Sequence, residues 1–225
     1  PSTGLRLKED EMFSGVGPTR GWLLFLGRYT LKEVLVLLAR KGFLREARKR
    51  NLWPLSYRLD SSDYPVQRLL IYWEKEDPDR IIVDLKIKES RTKFLDPEKH
   101  GYRLPVQHSL LFEWLTLQNP RQEFFGRHKP LPGQTRPGLS LSKKILEIFL
   151  YLAKLIELDA LVAFPAYFHN ALLFSRYLYF VNPIKEGEIK AIRRQFSHVP
   201  FRQLAWAVYL GCLETENGQI YDWQA

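Results

Sequence analysis

The chain has 225 residues, 45% hydrophobic, 26% charged and 14% aromatic, with a formal net charge of +9. That aromatic and apolar content excludes a disordered chain and is enough for a core. The lone Cys212 excludes an intrachain disulfide and a cysteine zinc site. A single domain over residues 1–225 is expected. Residues 1–21, with Gly4, Gly15, Gly17, Pro18 and Gly21, read as a loose arm without periodicity. Leu31 to Arg50 reads as a helix, with Thr30 and Glu33 spaced as a capping box and Gly42 as a break or bend. Pro54 then marks a turn.

Strands are expected at Val66 to Glu74, Arg80 to Lys88 and Leu110 to Gln118. In the second, Ile81, Val83, Leu85 and Ile87 alternate with Asp84, Lys86 and Lys88, and Asp77, Pro78 and Asp79 supply the preceding turn. The third is apolar on both faces apart from Glu113 and Thr116, as a central strand would be. A Gly/Pro-rich loop, Asn119 to Pro137, leads into a helix whose stripe is Ile145, Ile148, Phe149, Leu152, Leu155 and Ile156. A short buried strand, Ala160 to Phe164, follows. Then come a helix near His169 to Tyr177, a strand near Leu178 to Val181, a helix from Lys185 to His198, a helical or buried stretch at 201–212 and a turn at Asn217 and Gly218. The order predicts an α/β fold (α+β with a mixed sheet). Strand 160–164 should run parallel to 110–118, because a helix crosses between them.

Lys154, Glu157 and Asp159 interrupt the most apolar stretch, Ile145 to Phe164, so it does not read as a membrane span. Residues 1–10 are polar and charged and do not read as a secretory leader, so a cytoplasmic protein without a membrane partner is expected. The net positive charge suits an anionic partner. Its densest run is Arg40, Lys41, Arg45, Arg48, Lys49 and Arg50, opposed only by Glu46. It reads as a solvated helix face first and as an anion or nucleic-acid contact second. His100, His108, His128, His169 and His198 lack metal-ligand spacing, so no metal is expected. No Gly-x-Ser-x-Gly elbow or Walker loop is present.

The loop that opens the Ile145 helix reads Leu131-Pro132-Gly133-Gln134-Thr135-Arg136-Pro137-Gly138-Leu139-Ser140-Leu141-Ser142, followed by Lys143 and Lys144. Free N–H groups and a partial positive charge at a helix start favour a diphosphate, and small residues let it approach. Further on stand Asp159-Ala160-Leu161-Val162-Ala163-Phe164-Pro165 and His169-Asn170-Ala171-Leu172-Leu173-Phe174-Ser175-Arg176. Together these resemble the GNAT superfamily of acyl-CoA N-acyltransferases. That family places a Gln/Arg-x-x-Gly-x-Gly/Ala loop between its central strand and the next helix, then a strand, then an Asn-and-Ala helix. The resemblance covers residues 131–183, and 66–118 by strand order alone. It leaves 1–60 and the C-terminal extension 185–225 unmatched.

The resemblance implies acetyl-CoA or another acyl-CoA as co-substrate, an amine as acceptor, and direct attack of the amine on the thioester. It implies Gln134, Arg136, Gly138, Leu139, Ser140, Ser142, Lys143 and Asn170 as CoA contacts. Glu113, which reads first as facing solvent or paired with a Lys, is the first choice for general base, and Asp84, which reads as exposed, is the second. Thr135 stands at the Gln/Arg position, Ser140 at the final Gly/Ala, and Pro137 lacks an N–H. Phe174 stands where the family often has a Tyr to protonate the thiolate. Tyr177 is then the first stand-in acid, with Tyr167 and His169 behind it. The alternatives are a non-catalytic CoA-binding or interaction protein, and a weak nucleic-acid-binding module.

Overall fold

Thr30 opens the first helix with a capping box: its side chain accepts from the Glu33 N–H, and the Glu33 carboxylate accepts from the Thr30 N–H at 2.7 Å. The computed structural model describes residues 24–92, 106–126 and 129–223. The arm expected at 1–21, His100 and His128 lie outside the described residues. Helix α1 spans Leu31–Arg40 and α2 spans Phe43–Lys49. The helix expected over 31–50 divides at Gly42, which has φ +80°, a left-handed conformation that glycine adopts freely.

Five strands follow: β1 Leu55–Asp60, β2 Gln67–Trp73, β3 Ile81–Thr92, β4 Gln107–Leu117 and β5 Ala160–Ala163. They form one mixed sheet in the order β1-β2-β3-β4-β5. The first three pairings are antiparallel, and β4 and β5 are parallel. Helix α3, Ser142–Leu155, makes the crossover between that parallel pair. The antiparallel order of β2, β3 and β4 and the parallel β5 follow the expectation from sequence. Strand β1 is an addition, since the first strand expected from sequence starts at Val66.

The described residues fall into two compact units. One takes in the described parts of Pro1–Thr92, Gln107–Glu123 and Arg136–Ala163, and the other those of Lys93–Val106, Phe124–Thr135 and Phe164–Ala225. In the first, α1, α2, α3 and the sheet share a core that includes Leu35, Phe43, Leu44, Ile82, Leu85, Ile87 and Leu110. In β4 the pairing slips by one residue: Ile87 pairs with Phe112 and Lys86 with Trp114, so Glu113 is the extra residue of a β-bulge.

The second unit holds α4 Phe168–Phe174, α5 Pro183–Gln195 and α6 Phe201–Tyr209. Its core includes Phe168, Leu172, Ile189, Leu204 and Val208. The strand expected at 178–181 is not formed. Tyr179 and Val181 are exposed, and Asn182 caps α5 just ahead of Pro183, so the segment enters a helix rather than a sheet. Helix α4 ends at Phe174 rather than at Tyr177, and the chain closes in a turn where the Tyr177 and Leu178 N–H groups both donate to the Phe174 carbonyl.

Candidate functional site

Strand β4 pairs with β3 over most of its length but with β5 only from Ser109 to Phe112. Its far end on the β5 side is held by the loop that enters α3. The Asn119 N–H donates to the Pro137 carbonyl at 2.8 Å, Gly138 bridges Gln118, and the Leu139 N–H donates to the Leu117 carbonyl at 3.3 Å. Between these two anchors, residues 113–116 have no strand partner on that edge. An edge left open at the carboxyl ends of parallel strands is a place where α/β sheets take ligands.

The loop residues frame the same gap. Leu139 and Leu141 are buried in the core and hold the loop down. Between them Ser140 sits at φ +56° and is exposed, as are Ser142 and Lys143. A side chain added at Gly138 would meet only the Leu117 carbonyl oxygen, at 3.6 Å, so the fold itself leaves that space open. Helix α3 has no side-chain cap and no acidic residue in its first turn, so its N-terminal N–H groups keep their positive field.

Gly138, Leu139, Ser140, Ser142 and Lys143 therefore lie together. The Leu139 amide is spent on Leu117, so it is not a free donor. Lys144 points away from the loop. Its Nζ donates to the Lys41 carbonyl at 3.2 Å, closing the C-terminal end of α1. Arg136 pairs with Glu123 at 3.1 Å. Gln134 belongs to the second unit, where its Oε1 accepts from the Leu131 N–H at 3.0 Å. Asn170 and Tyr177 are also in the second unit; Tyr177 is exposed just past α4.

Asp84 departs from its expected setting; Glu113 does not. It is exposed and pairs with Lys88 Nζ at 2.5 Å, from the neighbouring strand on the same face. Asp84, expected to face solvent, is 9% exposed and accepts two bonds from Arg68, at 2.7 and 2.8 Å. The hydrogen bond to Asp84 raises the Arg68 pKa.

His169 is buried in the second unit and stacks on Tyr167, ring centres 5.3 Å apart. Burial pushes its pKa down to about 4, and its Nδ1 has no hydrogen-bond partner. It is neutral at pH 7 and a poor acid in that state. The Glu113 bulge escaped the sequence reading, because a register slip depends on the partner strand. So did a polar cluster where β4 and β5 begin. There Glu89 contacts Arg28 and lies 3.2 Å from His108 Nε2, and the His108 N–H donates to Asp159 at 2.8 Å.

Among the described residues, no group of three or more His, Cys, Asp or Glu side chains could hold a metal, and no helix is long and apolar enough to cross a membrane. The chain matches no family model, no curated protein and no solved structure. Its chemistry must be argued from the geometry above. An open strand edge can bond an extended chain carrying amides. A helix start without acid can hold an anion at one end of that chain.

Proposed function

We propose that the first unit binds an acyl-CoA in the manner of a GNAT-like module, and that the protein is an N-acyltransferase. The observation that carries this is the open edge at 113–116, flanked by the Gly138–Ser142 loop and the uncapped start of α3. The pantetheine arm is extended and has two amides, so it can add to a strand edge by main-chain bonding. The diphosphate suits the free N–H groups beyond Ser140. In the reaction the amine nitrogen attacks the thioester carbonyl carbon, the C–N bond forms and the C–S bond breaks. The nitrogen loses a proton and the thiolate gains one. The reading gives Glu113 the first proton transfer, since it stands at the bulge on the open edge, and water at that edge the second.

A second reading also has support. Phe174 stands where an acid is expected, and Lys88 already neutralises Glu113. Both fit a module that binds a CoA ester without turning it over.

A thermal-shift titration tests the binding claim. Acetyl-CoA at 100 times its Kd should stabilise the protein by about 2.7 kcal/mol. Gly138→Glu, which the backbone tolerates, should abolish the shift by filling the cradle and repelling phosphate. A wild type that no CoA ester stabilises at millimolar concentration refutes the proposal. Where binding is seen, turnover on an amine panel separates enzyme from binder.

A further inference from the structure

The basic run at 40–50 has no part in the proposed acyl-CoA site, and the structure gives it aromatic partners the sequence had not joined to it. The Arg48 guanidinium lies over the Trp53 ring at 4.1 Å. Arg80 and Arg121 both lie over Trp73, at 4.7 and 4.9 Å. Lys41 Nζ lies over Tyr151 at 3.8 Å.

These pairs are joined by the backbone. The Glu74 N–H donates to the Pro54 carbonyl at 2.8 Å, so Trp53 and Trp73 stand at the same end of the β1/β2 pair. Arg121 donates to the Asn51 carbonyl at 2.8 Å, which ties that end to the end of α2. At the start of α2, Arg45 Nη2 and Lys144 Nζ are each 3.5 Å from the same point above Gly42. The two cations are near neighbours there. Arg45 and Lys49 are exposed four residues apart on α2, between these two ends. Acid answers only part of the charge: Glu46 pairs with Lys49 and Arg50, and Glu74 with Arg80.

We propose that this band, from Lys144 and Arg45 across α2 to Trp53 and Trp73, binds single-stranded nucleic acid. A guanidinium lying over an indole brings a planar cation, with N–H groups that can reach a phosphate, next to a ring that can stack. Cations line the band and two rings stand at its Trp53 and Trp73 end, the two components that single-strand platforms combine. A duplex fits less well: α2 is held to the core by Phe43, Leu44 and Ala47 and does not project as a groove-reading helix. A membrane fits less well too, since Trp53 and Trp73 are half-buried rather than protruding.

The test is fluorescence anisotropy with the full chain and a labelled 20-nucleotide single-stranded RNA. The same-sequence DNA single strand, its duplex, and phosphatidylserine vesicles are the comparison arms. Single strands of either sugar should bind more tightly than the duplex or the vesicles. Arg45→Ala with Lys49→Ala, both exposed, should raise Kd at least tenfold at low salt and shrink the salt slope by about 1.4, or about 0.7 per lost phosphate contact. Arg121→Gln removes a stacked cation from the other end of the band and should weaken binding separately. Circular dichroism confirms that each variant folds. No binding, equal binding of the duplex, tighter binding of vesicles, or affinity unchanged in both variants would each overturn the proposal. None of these outcomes bears on the acyl-CoA reading, which is tested by ligand stabilisation.

Discussion

Gly133→Ala should cost about 2–3 kcal/mol, shared between its left-handed backbone and the Tyr167 ring. Gly133 has φ +74°, and an added Cβ would sit 2.4 Å from the Tyr167 hydroxyl oxygen and 2.5 Å from its ring carbon Cζ. The left-handed backbone alone costs a non-glycine residue about 1–2 kcal/mol. The ring must also move. It is packed between His169 at 5.3 Å and Tyr209 at 5.9 Å, and such aromatic pairs contribute about 0.5–1.5 kcal/mol beyond their area. Urea unfolding followed by circular dichroism measures the total. A double-mutant cycle with Tyr167→Ala isolates the contact: without the ring, Gly133→Ala should cost only the backbone share, leaving a coupling of about 1 kcal/mol. Equal costs in both backgrounds would refute the argument. They would mean that the loop at Gly133, and not the Tyr167 ring, absorbs the added carbon.

Two further outcomes follow from the same structure. The His169 pKa of about 4 lies below the 6.5 of an unfolded histidine, so between those values the unfolded chain binds the extra proton. This group's stability contribution, roughly 3 kcal/mol, is therefore present above pH 6.5 and lost as pH falls toward 4. Melting temperature against pH should be flatter across that window in His169→Phe, and identical slopes would exclude the effect. Asp84→Asn should cost about 1 kcal/mol in urea unfolding, because Arg68 loses a two-point carboxylate partner while its 39% exposed side chain recovers water. A cost above about 3 kcal/mol would show that the pair is screened less than its exposure implies.

Local and nearest-neighbour signals were legible in the sequence. Thr30 and Glu33 act within one turn, so their capping box could be read directly. The alternation from Ile81 to Ile87 needs only one buried face. The parallel β4/β5 pair follows from a helix joining two strands, a rule of chain handedness rather than of particular contacts. What the sequence does not show depends on distant partners. The open carbonyl end of α1 at Lys41 takes the Lys144 amine. Arg136, implied as a CoA contact, meets Glu123. Asp84 was expected to face solvent, yet Arg68, sixteen residues earlier, reaches it across the β2/β3 pair. The apolar run at 178–181 looked like a strand, but no sheet edge receives it. Of the rings that meet the basic cations, Trp53 lies near the run in sequence, while Trp73 and Tyr151 lie far from it and join it only in the fold.

The bulge at Glu113 links the core to the candidate site. Side chains on a strand alternate with a period of two, so one extra residue reverses the phase of everything after it. Before the bulge, Leu110 and Phe112 face the main core; after it, Leu115 and Leu117 do. A regular strand with this sequence would turn Trp114 and Thr116 inward and Leu115 and Leu117 outward. The slip keeps the apolar face continuous and leaves Glu113 and Trp114, adjacent in sequence, both exposed beside the open edge. The core thus accounts for the bulge without any ligand. What the core does not account for is its position, beginning where β5 stops pairing at Phe112. Glu113 also comes with a partner. Replacing it by Gln leaves the Lys88 ammonium beside the same gap, adding positive charge where a nucleophilic amine would have to approach unprotonated. A role for Glu113 is therefore best read from Glu113→Gln alone and together with Lys88→Met. If the single variant loses turnover and the double variant regains it, the defect is the stranded lysine. If both are inactive while acetyl-CoA still stabilises them, Glu113 is the base.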